Sequence, residues 1–157
     1  MGASFFNFAV PTTDAAAVEA LLVGWLANKG FVARPADRPP RFECDRENER
    51  CAFLVTGGKW TVILYSHAME EGKRLQFELG KLRIPSLQVW VFDSDHWGWR
   101  LFRDRKVVDA FYSHPTAEIG DEEANQPANG DPAVLCETFD LPDKLGEIAA
   151  VQRARAI

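Results

Sequence analysis

Apolar positions along this chain switch repeatedly between a period near two and a period near four, and those switches divide it into elements. SFFNFAV (4 to 10) is an apolar, aromatic-rich run ended by Pro11, which suits a first strand. TTDAAAVEALLVGWLANKG follows with Thr12 or Thr13 as N-cap, Asp14 in the first turn and Gly30 as the stop, a helix signature at both ends. Val18, Leu21, Leu22, Trp25 and Leu26 recur at helical spacing and predict one buried face. FVARP and RFECDRE then read as short strands separated by the proline-rich ADRPP. CAFLVTGGKWTVILYS holds two strands around Gly57 and Gly58, a tight-hairpin signal.

The second half opens with WTVILYS leading into a second helix, HAMEEGKRLQFELGKLRI, whose Gly72, Leu75, Leu79 and Leu82 fall on one stripe closed by Pro85. LQVWVFDSD, HWGWRLFRD and RKVVDAFYS read as three consecutive strands, the first nearly all apolar and therefore central. TAEIGDEEANQPANG (116 to 130) is acidic and without periodicity, as expected of a flexible loop. DPAVLCETFDLPDKLGEIAAVQRARAI predicts two short helices, with Asp131 as cap before Pro132 and the same device repeated by Asp140 and Pro142. The expected fold class is α+β: one antiparallel sheet built from a duplicated β-α-β-β unit with two helices on one face, plus a short C-terminal helical pair. The expected organisation is a single domain, with a duplicated core over 1–115, the loop over 116–130 and a C-terminal helical segment over 131–157.

The 157 residues suffice for one core, and 46 % hydrophobic against 26 % charged residues is the balance of a globular protein. A net charge of -5 disfavours nucleic acid, whose phosphates demand a basic surface. MGASFFNFAV lacks a basic region followed by a long apolar run, and no segment approaches the roughly 20 apolar residues of a spanning helix, so the expectation is a cytoplasmic protein with no membrane partner. Cys44, Cys51 and Cys136 match no zinc spacing. Cys136, in LCETF, reads as a small core residue on a helix. No cofactor is implied.

The stretch DSDHWGWRLFRD (93 to 104) concentrates the candidate chemistry. As a calcium loop it would use Asp93, Asp95 and Asp104 as ligands with Gly98 at the sharp turn, but Trp97 occupies a ligand position and strands flank it by pattern, where an EF-hand needs helices. The simpler reading is a β-turn from Asp93 to Gly98. Catalysis would need Asp93 or Asp95 to orient His96, or the two carboxylates and a histidine such as His67 or His114 to hold a metal; adjacent strand residues diverge, which opposes the first arrangement. No GxSxG, HExxH, phosphate-loop or dinucleotide pattern is present. No catalytic or metal-ligating residue is therefore assigned, and an enzyme is the less favoured class.

Aromatic residues carry the stronger signal. Trp60, Trp90, Trp97 and Trp99 lie in or beside the expected sheet, and Trp97 and Trp99, two apart, share a face. Opposite the helices that face would be an aromatic surface, with Arg100 and Arg103 as a polar rim beside Asp104 and Asp109. The alternative is that the tryptophans are core. The candidate binding set is Trp97, Trp99, Arg100, Arg103, Asp93, Asp95, His96 and Tyr112.

DSDHWGWRLFRDRKVVDAFYSHP resembles a segment of poorly characterised bacterial α+β proteins: an aspartate-rich turn, two strands, a V-D-x-F element and S-x-P, with GDPAVLCETFDLP resembling the short helix that follows. The likeness covers the second half, and it implies no activity. Arg105 stands where that pattern expects a glycine. The doubled unit is also similar to bacterial effector-binding domains of the transcription-regulator type, which hold small ligands between repeats. The functional expectation is a non-catalytic binding module of a bacterium, an immunity or regulatory protein with a protein partner contacted through the aromatic sheet surface and the 116–130 loop. The alternatives are a small-molecule sensor and a metal-assisted hydrolase using Asp93, Asp95 and a histidine.

Overall fold

The computed structural model describes residues 5–34, 50, 52–65, 75–92, 96–113 and 129–154, without the side chain of Phe92. Among the described residues six strands, β1 (Phe5–Val10), β2 (Ala52–Gly57), β3 (Trp60–Tyr65), β4 (Ser86–Phe92), β5 (His96–Arg103) and β6 (Lys106–Tyr112), form one antiparallel sheet in the order β2-β3-β1-β4-β5-β6. Four α-helices accompany it among the same residues: α1 (Ala15–Ala27), α2 (Leu75–Leu79), α3 (Pro132–Phe139) and α4 (Leu145–Arg153). This is the expected α+β class, with the apolar LQVWVF strand in the interior of the sheet as its composition predicts. No helix among the described residues is long and apolar enough to cross a membrane.

Several local expectations are corrected. The N-cap of α1 is Asp14, whose carboxylate accepts the Ala17 N–H at 2.9 Å; Thr12 instead accepts the Asp14 N–H, one step earlier. Residues 31–34 carry no strand, and RFECDRE lies outside the described residues, as do Gly72, His67, His114, Cys44 and Cys51. Asp131 does cap α3, accepting from the Ala133 N–H with Pro132 just inside. Asp140 does not repeat the device: it is the left-handed C-cap of α3, at φ 54°. Gly98 is no turn residue but lies inside β5, paired with Trp90 and Tyr112. A Cβ there would run into the Trp90 ring and the Phe111 carbonyl, so glycine lets the indole lie across the strand. With 96–103 one continuous strand, Asp104 falls at the end far from residues 93–95, which removes the calcium-loop register. Asp104 and Arg105 themselves make the β5–β6 turn with φ of 50° and 67°, both left-handed as a type I′ hairpin requires, despite the missing glycine.

Alternation along each strand sorts side chains onto two faces. On one, Phe6, Phe8 and Val10 of β1, Ile63 and Tyr65 of β3 and Phe102 of β5 pack with Val18, Leu22 and Trp25 of α1 and Leu75 and Leu79 of α2. This is the main core, and it bears out two helices on one face. On the other, Trp99, Leu101 and Phe111 of β5 and β6 pack with Leu135 and Phe139 of α3. The C-terminal helices therefore cover the opposite face, making three layers. The described strands do not by themselves establish the duplicated unit: β1 pairs with β3 and β4, and β3 pairs with β1 and β2.

Candidate functional site

The face beneath α3 and α4 carries a concavity. Ala9, Val62 and Leu87 form its floor, Val55, Gly57 and Trp60 its outer end, and Leu135, Phe139, Leu141 and Ile148 the helical wall. The groove encloses about 410 Å³ and every lining residue is apolar.

Its shape follows from how the C-terminal segment is anchored. The chain returns from the acidic stretch at Asn129, which bridges to Phe111 on β6, and passes over Trp99 at Gly130. The Asp131 N–H then donates to Asp109 on β6 at 2.8 Å, so a sheet carboxylate holds the residue that caps α3. Burial pushes the Asp109 carboxyl above its ordinary value, against the N–H bonds from Asp131 and Ala110 that lower it, and the nearby Asp131 charge adds to the rise. From there α3 crosses toward the β2–β3 hairpin. Its last residue, Phe139, meets the Trp60 ring edge-on at 4.9 Å, and its carbonyl accepts the Lys59 ammonium at 2.6 Å. A cation at a helix C-terminus also meets the negative end of the helix dipole. The helix is thus tied at both ends, and the groove is the space between its middle and the sheet. Deeper in this layer Gln152 of α4 is 8 % exposed, and its amide nitrogen has no hydrogen-bond partner.

The predicted binding residues fall in three places. Trp97 and Trp99 share the groove face, as their spacing requires. Trp99 is 4 % exposed and stacks on Phe111 at 6.4 Å, while Trp97 is half-buried with its ring 4.8 Å from Phe111. Trp99 is therefore core beneath α3 and α4, and the aromatic surface expected there is largely covered by the chain's own C-terminal helices. Arg103 reaches those helices, donating to Thr138 at 2.9 Å. Arg100 and Tyr112 point to the α1 face. The Arg100 Nε donates to the Tyr112 hydroxyl at 2.9 Å, and the guanidinium lies 5.4 Å over the Trp90 ring and 5.7 Å over that of Tyr112. An arginine so stacked is held by π faces and one hydroxyl rather than by a carboxylate. His96 begins β5 opposite Phe92, on the other side of the sheet from Trp97. Asp93 and Asp95 lie outside the described residues, as does most of 116–130. The described members of the set are thus divided between two faces.

Leu135, Phe139 and Ile148 were not candidates on sequence grounds. Their signal was available only in part: Leu135 and Phe139 are four apart on one helix face, but nothing local says that this face stands off from β1 and β3. Among the described residues no three His, Cys, Asp or Glu side chains gather as a metal site would require. Comparison with protein-family models, with curated proteins and with solved structures found no match to this chain.

Proposed function

We propose that this protein is a non-catalytic binding module and that its site is the apolar groove between β1–β3 and the α3–α4 segment, where it receives apolar side chains of a partner protein. The observation that carries the reading is the apolar lining of the groove together with its exposed outer end, where Val55 is 51 % exposed. An apolar concavity with an exposed apolar margin is the form of a protein contact site. In this reading Trp97 borders the contact region, while Trp99 and Arg103 act indirectly by seating α3. A small apolar ligand is the second reading, favoured by the volume, which falls within the ~300–1,000 Å³ of ligand pockets. A hydrolase would rest on Asp93 and Asp95 and draws no support from the groove.

Ile148→Glu places a charge in the groove from a half-buried helix position without touching the sheet. The tagged protein and this variant, matched for thermal stability, are used to capture partners from the host lysate, with native mass spectrometry of what is retained. A stoichiometric protein held by the wild type and lost with Ile148→Glu supports the reading. A partner retained by the variant overturns it, and a bound small molecule without a protein partner transfers the site to the second reading.

A further inference from the structure

The two edges of the sheet are treated very differently. At β6 the strand carries Lys106 and Asp109, its register against β5 shifts between Leu101 and Phe102, and Asn129 bridges to Phe111 on its outer side. Charge, irregularity and cover are the usual protections of an edge. At β2, AFLVTG, there is no charge, no proline and no irregularity in its pairing with β3, and among the described residues no strand lies outside it.

The hairpin determines which backbone groups of β2 face outward. Gly57 pairs with Trp60 across a two-residue turn whose first residue, Gly58, has φ 57°, as a type II′ turn requires. The residues flanking such a turn exchange both hydrogen bonds, so Gly57, Val55 and Phe53 bond to β3 while Thr56, Leu54 and Ala52 turn their N–H and C=O groups outward. Ala52 and Thr56 are exposed.

We propose that β2 is the pairing edge for a second copy of this chain, joined antiparallel about Leu54 so that the two sheets become one. In that register Leu54 faces Leu54 of the second copy, and Ala52 and Thr56 face each other across the junction, every outward group meeting a complement. On the groove side Phe53 lies against Val55 of the second copy, an aromatic and β-branched pair of the kind that stabilises neighbouring strands. No like charges meet, which matters for a chain of net charge -5: β2 is a neutral line along which two acidic molecules can approach. The two-fold axis of an antiparallel in-plane pairing is perpendicular to the sheet. Both grooves therefore open on the same side, and Phe53 of the other copy adds to the apolar margin beside Val55 at the end of each. The assembly stands whether or not the groove holds a partner.

Thr56→Pro tests this directly. The Thr56 N–H makes no bond to β3, so proline there leaves the internal ladder intact and removes only an outward donor. Sedimentation velocity across the micromolar range is expected to show a concentration-dependent dimer for the wild type and for Thr56→Ala. For Thr56→Pro the dissociation constant should rise at least about tenfold, with unchanged far-ultraviolet dichroism. Should Thr56→Pro fail to fold, Val55→Lys, at an exposed position, must weaken the dimer in its place. A wild type that stays monomeric over the range overturns the proposal, as does a dimer that survives the folded edge variant. Ile148→Glu lies away from β2 and leaves the dimer unchanged, which separates this result from the fate of the groove.

Discussion

On the α1 side of the sheet Phe8, Val10 and Ile63 are 0 % exposed, whereas their immediate neighbours Ala9 and Val62, on the α3 side, line an open groove. The same strands thus present a sealed face and an unsealed one. The difference lies in how the helices are seated. α1 packs Val18, Leu22 and Trp25 directly against its face. α3 is held at its two ends, by Asp109 on β6 and by Lys59 and Trp60 of the β2–β3 hairpin, so that its middle stands off from Ala9, Val62 and Leu87. The two layers are also held by different forces. α1 is held by apolar burial, while α3 adds polar ties at its ends, Asp109 to Asp131 and Lys59 to the Phe139 carbonyl. The open groove, and with it the proposed contact site, belongs to the α3 layer.

The largest test of this contrast compares substitutions on the two faces. Phe8→Ala, which leaves a cavity between Tyr65 and Phe102, is expected to cost about 3–5 kcal/mol in chemical denaturation, whereas Val55→Ser on the open face stays within about 0.5 kcal/mol. Comparable losses would mean that the groove face is as tightly packed as the other. Next in size is Phe139→Ala, which removes the ring that joins α3 to Trp60 and should cost about 2–3 kcal/mol, below the full core value because one side of the site is already open. Hydrogen exchange should then rise in α3 and α4 while α1 keeps its protection; a uniform rise would show that the two layers unfold as one.

The smallest effect concerns the tie at the start of α3. Burial raises the Asp109 carboxyl, so its contribution to stability is fully present below the ordinary carboxylate range and is lost as pH rises through the folded-state value. Asp109→Asn lacks that titration but gives up one of two acceptors for backbone N–H groups. The melting temperature of the variant relative to the wild type should therefore climb as pH is raised from acid toward neutral. A flat difference, or one that falls, would contradict the raised value.

How far these features were legible beforehand depends on the range of the interaction that decides them. The GG hairpin, the Asp131–Pro132 helix start and the LQVWVF central strand were legible because each rests on contacts within a few residues. The N-cap of α1 went to Asp14 rather than to Thr12 or Thr13 because three neighbouring oxygen-bearing residues compete for the same few N–H groups, and only the final dihedrals choose among them. Gly98 read as a turn residue because glycine signals a turn as readily as it signals close approach by a distant ring, here that of Trp90. Trp97 and Trp99 were rightly given one face, but their cover could not be read, because Leu135 and Phe139 lie some forty residues further on in the sequence.

By itself, then, the sequence determined the α+β class, most of the strands and helices and the shared face of Trp97 and Trp99, since period and turn chemistry are local properties of the chain; Arg100, expected at the rim of that surface, lies on the other face. The tertiary structure alone decided that Trp99 is core, that Arg100 rests between Trp90 and Tyr112, and that the open apolar surface moves to Val55, Trp60 and the wall of α3. The first and last of those outcomes depend on where a short helix ends after crossing the sheet. That position is set by contacts from Asp109, Lys59 and Trp60, residues far from α3 in the chain and beside it only once the sheet has formed.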